Sequence, residues 1–241
     1  MPARANLVLL LGLAACAAAP QGGGRPGQPA SPGFSAGQLA KTDIDRVAET
    51  HRRGAFASLR LIAEKLYRRN PREWKRGGGP GAEAAVDRLF DDKAAWRFAE
   101  FGERRGVAVL PLAFRDDYAG DRVFALVAGL GGMMHMAFND KSEFFVLDDL
   151  DPQKLFNAAR NVEIAVWKLS QARDADGAPY LLSNEITADQ QLRNLSFERE
   201  FGKIIGNLDT LSAIIADKSQ RTIVRVLQSL ATAVFLPVPG R

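Results

Sequence analysis

Residues 123–138 read VFALVAGLGGMMHMAF, and His135 carries the only polar side chain in these sixteen residues. As a helix the run would be about 24 Å long, which is shorter than the hydrocarbon core of a bilayer. Polar residues bound it on both sides, with Arg122 before it and Asn139-Asp140-Lys141 after it. The run therefore predicts a central helix that is buried on all sides.

Small residues recur at intervals of four along this run, as Ala125/Gly129 and Ala128/Gly132. This spacing lets a second helix backbone approach closely. A second interpretation stays open, in which the run is a surface that inserts into lipid or contacts a partner. Complete burial of the run would exclude that interpretation. In that interpretation, the surface for a partner or ligand is a soft apolar contact made by Gly129, Gly132, Met133, Met134, His135 and Met136.

The residues before this run carry two helical patterns. Thr42-Asp43-Ile44-Asp45 resembles a capping box in which Asp45 replaces the usual Glu, and apolar residues follow at helical spacing as far as Leu66. This helix is expected to end near Arg69-Asn70-Pro71, where Asn70 caps a further turn. A second helix is predicted over residues 82–101.

The residues after the run carry three more helical patterns. Asp151-Pro152 begins the clearest helix, and the turn-forming residues 174–179 end it. Residues 195–215 form a long amphipathic face. Apolar residues at the same spacing over 223–235 predict a last helix.

Strand-like sequence is scarce in this chain. VAVLPLAF at residues 107–114 is apolar and partly β-branched, but Pro111 interrupts it, so its structure stays undecided. No register of a helical repeat keeps the same residue types. The sequence therefore predicts an all-α fold, a single domain of about six to eight helices over residues 39–241.

The amino-terminal residues have a different composition. LVLLLGLAA at residues 7–15 is an apolar core behind the positive head MPARAN, too short to span a bilayer but suited to a secretory signal. Leu13-Ala14-Ala15-Cys16 then resembles the lipobox of bacterial lipoproteins at all four positions. The resemblance implies that Cys16, the only cysteine in the chain, receives a diacylglyceryl group and that cleavage occurs just before it.

The same resemblance implies a location. Residue 17 is Ala and not Asp, which favours the periplasmic face of the outer membrane, with the lipid anchor as the contact to the membrane. The alternative is an ordinary signal peptide cut near residues 17–19, in which Cys16 is discarded. More than one acyl chain is needed for stable anchoring, and a lipidated amino-terminal cysteine meets that need.

The expected organisation of the chain follows. Residues 20–38 are rich in Gly, Pro, Ser and Gln, and bury too little apolar surface to offset the entropy of ordering them. They are interpreted as a tether with a reach of about 25 Å. We expect a signal peptide over residues 1–15, the lipidated Cys16 and tether over 16–38, and the helical domain over 39–241.

Charge is unevenly distributed along the chain. Residues 41–76 hold eleven Lys or Arg and five Asp or Glu, whereas residues 139–190 hold five and ten. The basic region either faces anionic lipid or polymer or forms a solvated surface that pairs with acids elsewhere in the fold. Nucleic acid is not expected as a partner of an exported protein, although the net charge is +4.

Metal and cofactor motifs are not recognised in the sequence. His51 and His135 both fall on apolar faces, without an HExxH motif or paired cysteines, so both are interpreted as satisfied, partly buried histidines. Asp174, Asp176 and Gly177 match three positions of a calcium-binding EF-hand loop, but the first and last carboxylates are missing. A turn that ends a helix explains the same residues.

Catalytic residues are not assigned. A Ser-x-x-Lys motif and a Cys–His arrangement are not found in the sequence. A cell-wall hydrolase of the envelope requires two carboxylates that flank a cleft. The acidic residues available for that role are Glu143, Asp148, Asp149, Glu163 and Glu185.

The leading functional interpretation is a non-enzymatic envelope lipoprotein. It acts as a membrane-tethered adaptor or as an accessory subunit of a membrane complex, with an envelope protein as its partner. One alternative is a helical module that binds an apolar or lipidic ligand in a cavity around residues 129–138. The other alternative is the envelope hydrolase.

Overall fold

The computed structural model of the chain describes residues 41–145, 148–184, 194–225, 229–230 and 232–240. The predicted signal peptide, Cys16 with its tether, and Glu185 lie outside the described residues. Their roles therefore stay predictions.

Helices account for the regular structure of the described residues. The α-helices are α1 (Asp43–Arg69), α2 (Pro71–Arg76), α3 (Ala82–Leu89), α4 (Arg122–Ala137), α5 (Pro152–Gln171) and α6 (Ser196–Ser219). The stretch between α3 and α4 contains the short 3₁₀ turns Asp92–Ala94, Ala99–Phe101, Gly106–Ala108 and Leu110–Phe114. No strand occurs in these residues, apart from one isolated bridge between Arg173 and Pro179. The predicted all-α single domain is confirmed.

Helix α4 occupies the centre of the fold. Every residue from Arg122 to Ala137 is buried, and the helix contacts α1, α2, α3, α5 and the last two 3₁₀ turns. The second layer is formed by α6, which packs against both α1 and α5. The prediction of a central helix buried on all sides is confirmed. No helix among the described residues is both long and apolar enough to cross a membrane.

The small residues of α4 allow another part of the backbone to approach closely, but that backbone does not belong to another α-helix. A Cβ atom on Gly129 would lie 2.6 Å from Leu110 Cδ2, and one on Gly132 would lie 3.0 Å from the backbone nitrogen of Gly106. Gly106 itself has a φ of +56°, which favours glycine. The stretch VAVLPLAF therefore forms 3₁₀ turns whose backbone lies directly against α4, with Pro111 in the first turn of the second one.

Helix α1 begins as its sequence predicts. The Thr42 backbone N–H donates to Asp45 Oδ2 over 2.7 Å, and the Asp45 N–H donates to Thr42 Oγ1 over 3.3 Å. Asn70 follows the helix, but its side chain does not cap α2. Its amide instead donates to Leu66 O and accepts from the Leu182 N–H, so Asn70 ties the end of α1 to a distant loop.

The predicted helix over residues 82–101 is wrong beyond Leu89. The Asp91 side chain accepts from the Lys93 N–H and begins a 3₁₀ turn. Ala95 and Trp96 then adopt φ values of +45° and +58°, which a right-handed helix does not allow. The chain therefore turns at this point, and Trp96 leaves the face that a continuous helix would give it.

The predicted helix over residues 223–235 is also wrong in its described part, which contains no helix. Side-chain amides of α5 bind the backbone instead, at Val224 within this segment and at Leu236 just after it. Asn161 donates to Leu236 O over 2.8 Å and accepts from the Leu236 N–H over 2.6 Å. Gln153 makes the same reciprocal pair with Val224, over 3.1 and 2.8 Å. Backbone groups that a helix needs for its own hydrogen bonds are thus bound by α5.

Helices α5 and α6 agree with the sequence. Asp151 caps α5, because its Oδ1 accepts from the Gln153 N–H over 2.9 Å. The Ser212 hydroxyl of α6 donates to the Pro152 carbonyl over 2.7 Å, which joins the two helices near that cap. The predicted helix from Asp151-Pro152 and the predicted amphipathic helix over 195–215 are confirmed.

Candidate functional site

A surface pocket of about 390 Å³ lies beside the carboxyl-terminal end of α4. One wall comes from α1, a second from the residues between α3 and the 3₁₀ turn at 99–101, and the third from the residues just after α4. We call it the Trp96 pocket. The residues that line it are Arg52, Phe56, Phe90, Asp91, Asp92, Ala95, Trp96, His135, Asp140 and Ser142.

Left-handed backbone is concentrated around this pocket. Of the five non-glycine residues with positive φ in the described chain, four form the two adjacent pairs Ala95-Trp96 and Asn139-Asp140. Asn and Asp tolerate this conformation, and helices often end in it. Ala95 and Trp96 do not tolerate it so easily, and such residues cost about 1–3 kcal/mol each. Strain of this kind clusters at functional sites.

The Trp96 ring packs against Gly131 of α4. A Cβ atom on Gly131 would lie 1.9 Å from Trp96 Cζ3, so the indole lies flat against the helix only because residue 131 has no side chain. The Trp96 ring also meets the ring of Phe56 at 5.4 Å and the ring of Phe90, edge to face, at 5.2 Å. These contacts hold the strained turn in place and give the pocket an aromatic wall.

Arg52 is the cation of the α1 wall. Its guanidinium lies 4.5 Å from the centre of the Phe56 ring, within the range of a cation–π contact. Its Nε is buried without a hydrogen-bond partner among the described residues. Burial lowers the pKa of Arg52, and the charge of Asp92 opposes that effect. Asp140, in contrast, is engaged by Arg105 in an ion pair.

His135 is the titratable group at the base of the pocket. The residue is 8% exposed, and its Nδ1 is buried with no hydrogen-bond partner in the described part of the chain. Its Nε2 lies 3.9 Å from Asp140 Oδ1, too far for a hydrogen bond. Burial lowers the pKa of His135; Asp140 opposes this, whereas Arg52, Arg105 and Arg97 add to it. The ring is therefore neutral at pH 7.

The two histidines differ in how well they are satisfied. His51 Nδ1 lies 2.9 Å from Asn207 Oδ1, so the prediction of a satisfied histidine is confirmed there. His135 is buried as predicted, but the prediction that it is satisfied is wrong for its Nδ1. The reason is that α4 places this ring between charged groups and gives its inner nitrogen no partner.

The predicted partner surface on α4 is wrong, because its residues are in the core. Met133 and Met134 are 0% exposed, Met136 is 9% exposed, and Gly129 and Gly132 are covered by the 3₁₀ turns. Of the six proposed residues, His135 lines the Trp96 pocket. The other side chains of residues 129–138 pack in the core in the same way, and His135 borders the Trp96 pocket.

The carboxylates proposed for a hydrolase are not gathered across a cleft. Asp148 and Asp149 share a pocket of about 90 Å³ with Asp45, but Asp148 pairs with Lys141, Asp149 pairs with Arg221, and Asp45 belongs to the α1 cap. Glu163 pairs with Arg160 on α5. Each of these carboxylates already has a partner.

The calcium-like loop is a turn after α5. Asp174 Oδ1 accepts from the backbone N–H groups of Asp176 and Ala178, over 3.1 and 2.8 Å, and Gly177 has a φ of +79°. Within the ranges that the structure describes, no three His, Cys, Asp or Glu side chains lie close enough together to hold a metal ion.

A second cluster of buried polar groups lies at the amino-terminal end of α4. Asp121 accepts from the Phe124 N–H over 2.8 Å and from the Tyr67 hydroxyl over 2.9 Å, and Glu73 accepts from the Arg122 N–H over 2.7 Å. Burial raises the pKa of Asp121 to about 6, against the lowering effect of these hydrogen bonds. The cluster is well bonded and joins α1 and α2 to α4, which is a structural role.

Comparison with protein-family models, with curated proteins and with solved structures finds no significant match to this chain. The Trp96 pocket is thus defined by its geometry. Sequence reasoning missed Trp96 as a site residue, because the spacing predicts one continuous helix over residues 82–101. It missed Arg52 and Asp140, because no local pattern brings them to Trp96. The adjacent Asn139-Asp140, which tolerate left-handed backbone, were the available signal that the chain turns after α4.

Proposed function

We propose that this protein is a membrane-tethered, non-catalytic binding protein of the cell envelope, with the Trp96 pocket as its binding site. The observation that carries the proposal is the strained Ala95-Trp96 turn, held by the contact between Trp96 and Gly131. The fold retains a left-handed backbone conformation there that costs free energy. This conformation places the Trp96 ring in the wall of the pocket.

The tether gives the proposed binding site its location. Lipid on Cys16 and the segment up to residue 38 would keep the helical domain within about 25 Å of the outer membrane. A binding site held in this way meets envelope partners at a raised effective concentration. The protein then acts as an adaptor or accessory subunit that takes its ligand or partner at the Trp96 pocket.

The alternatives receive less support from the geometry. The alternative of an apolar or lipidic ligand requires a cavity around residues 129–138, but apart from His135 those side chains pack in the core. A hydrolase requires two free carboxylates across a cleft, but Asp148, Asp149 and Glu163 are each in an ion pair. Glu143 is an exposed residue. The Trp96 pocket supports a binding role more directly, because it combines an aromatic wall with charged groups at one site.

The experiment compares three forms of the mature protein purified from cells in nonionic detergent. Native mass spectrometry is expected to find a bound molecule, or a crosslinked partner, with the wild type and with Trp167→Ala. The same species is expected to be lost with Trp96→Ala. Trp167 lies on α5 and is a matched control outside the pocket. Equal recovery from Trp96→Ala and Trp167→Ala, with both variants folded, would rule out the Trp96 pocket.

A further inference from the structure

We infer that the Trp96 pocket recognises a ligand with an anionic group, a carboxylate or a phosphate ester, through Arg52 and His135. The inference rests on the proposed function, since it names the ligand chemistry of the same pocket. Four features carry it: the unused donors of Arg52, the Nε2 of His135, the charges that act on His135, and the occupancy of the aromatic faces.

Arg52 has donors that the fold does not use. Within the described residues its guanidinium makes no hydrogen bond and no ion pair, and it lies over the face of the Phe56 ring. Exposed arginines often lack partners, but Arg52 lines a pocket and its Nε is buried. A planar guanidinium held by an aromatic ring is suited to bidentate binding of a carboxylate or a phosphate.

His135 supplies a second donor beside it. A buried N–H without an acceptor is rarer and costlier than a buried lone pair. Because Nδ1 is buried without a partner, the proton of the neutral ring belongs on Nε2. That atom is 3.9 Å from Asp140 Oδ1, so its hydrogen is not used by the fold. An anion in the pocket can therefore accept from His135 Nε2 and from Arg52.

The charges around His135 favour an anion. The guanidinium groups that act on the ring are Arg52 from α1 and Arg97 and Arg105 from the 3₁₀ region, and the opposing carboxylate is Asp140, which is paired with Arg105. Asp91 and Asp92 line the same pocket from the other wall, and both are exposed. Asp92 acts on Arg52, so the pocket wall as a whole is mixed in charge. At the His135 ring itself, three guanidinium groups act against one carboxylate.

The aromatic faces disfavour a cationic ligand. The guanidinium of Arg52 lies on the Phe56 ring, and that of Arg60 lies 5.4 Å from the centre of the Phe90 ring. At Phe56 and Phe90, cations of the protein itself therefore occupy the positions that a ligand ammonium group would take. Trp96 remains as a wall for a flat apolar part of the ligand, next to its anionic group.

The test uses the mature protein in nonionic detergent and isothermal titration calorimetry. Phenyl phosphate and benzoate are expected to bind, and the neutral probe benzyl alcohol is expected to bind at least about tenfold more weakly, because a charged hydrogen bond is lost. Arg52→Gln is expected to weaken phenyl phosphate by about tenfold or more. Arg53→Gln, which removes an exposed charge one residue further along α1, is expected to leave affinity unchanged.

Further ligands and variants identify the source of the anion and show whether a loss of binding is due to misfolding. Glycerol phosphate represents a lipid headgroup: if it matches phenyl phosphate, the ligand is a headgroup, and if phenyl phosphate binds more tightly, the ligand is a flat soluble anion. Arg52→Lys keeps the charge and is expected to retain part of the affinity. Thermal melting of each variant shows that it is folded.

Two results would overturn the inference. One is equal binding of phenyl phosphate by Arg52→Gln and Arg53→Gln, and the other is binding of benzyl alcohol as tight as that of phenyl phosphate. If benzyl alcohol binding is tight and is lost with Trp96→Ala, the anion inference fails while the proposed binding site stands. If no co-purified species depends on Trp96, the proposed function fails as well.

Discussion

Asn161 on α5 provides a sharp test of how the carboxyl-terminal segment is held. Its side chain is 0% exposed and makes two hydrogen bonds with the backbone of Leu236, over 2.8 and 2.6 Å. Leu236 is itself buried. Asn161→Ala would leave one buried N–H and one buried carbonyl without partners, at about 1–3 kcal/mol each. We expect the free energy of unfolding to fall by about 3 kcal/mol.

The assay is thermal and urea unfolding of the mature protein, followed by circular dichroism. A loss of about 3 kcal/mol corresponds to a fall in Tm of about 6–12 °C for a domain of this size. Asn157→Ala is the matched control on the same face of α5, because Asn157 donates to the neighbouring Pro237 carbonyl over 3.0 Å at a more exposed position. Water can replace that bond, so a change of about 1 kcal/mol or less is expected.

The reasoning fails if Asn161→Ala and Asn157→Ala lower the Tm equally, or if Asn161→Ala leaves it unchanged. A further readout separates local from global unfolding. If the segment detaches alone, limited proteolysis will cut near the carboxyl terminus of Asn161→Ala while the melting curve stays close to that of the wild type. That outcome would show that the segment does not contribute to the cooperative stability of the helices.

Three other predictions follow from named contacts. Gly131→Ala places a Cβ within 1.9 Å of the Trp96 ring. Tryptophan emission should therefore shift to the red, and ligand affinity at the pocket should fall at least about tenfold. In the control Gly206→Ala nothing lies within 4 Å of the added Cβ, so this variant should instead stabilise α6 by about 0.5–1 kcal/mol. The pKa of Asp121 rises from 3.8 to about 6 in the folded state, so the folded protein binds this proton more tightly. Stability from this group is therefore greatest below pH 4 and is lost as pH rises through 6, by at most about 3 kcal/mol. Urea midpoints at pH 5 and pH 8 should differ less in Asp121→Asn than in the wild type, and an equal difference would contradict the assignment. Labelled palmitate should enter the wild type and not Cys16→Ser, and labelling of both would contradict the lipid anchor.

Local signals in the sequence were enough to predict where several helices begin and which of them is buried. Thr42 and Asp45 form the predicted capping box, and Asp151 with Pro152 begins α5 as its sequence indicates. The run at 123–138 is buried because it lacks polar side chains other than His135. In each case the residues that decide the structure lie within a few positions of one another.

Two predicted helices failed because distant residues decide their backbone. The stretch after Leu89 has no glycine or proline to mark a turn, yet Ala95 and Trp96 are left-handed because the Trp96 ring fits against Gly131 on α4. The stretch after Ile223 has helical spacing, yet Gln153 and Asn161 bind its backbone groups. A tertiary contact that satisfies or strains the backbone overrides the local pattern.

The sequence by itself determined the all-α class, the buried central helix and the residues that begin α1 and α5, because periodicity and capping act over one or two turns. Only the tertiary structure decided the Trp96 pocket. Arg52, Trp96 and the neighbouring His135 and Asp140 come from three separate parts of the chain, and each residue has an ordinary structural interpretation when it is considered alone. Their juxtaposition depends on how α1 and the strained turn pack against α4, and sequence spacing does not encode that packing.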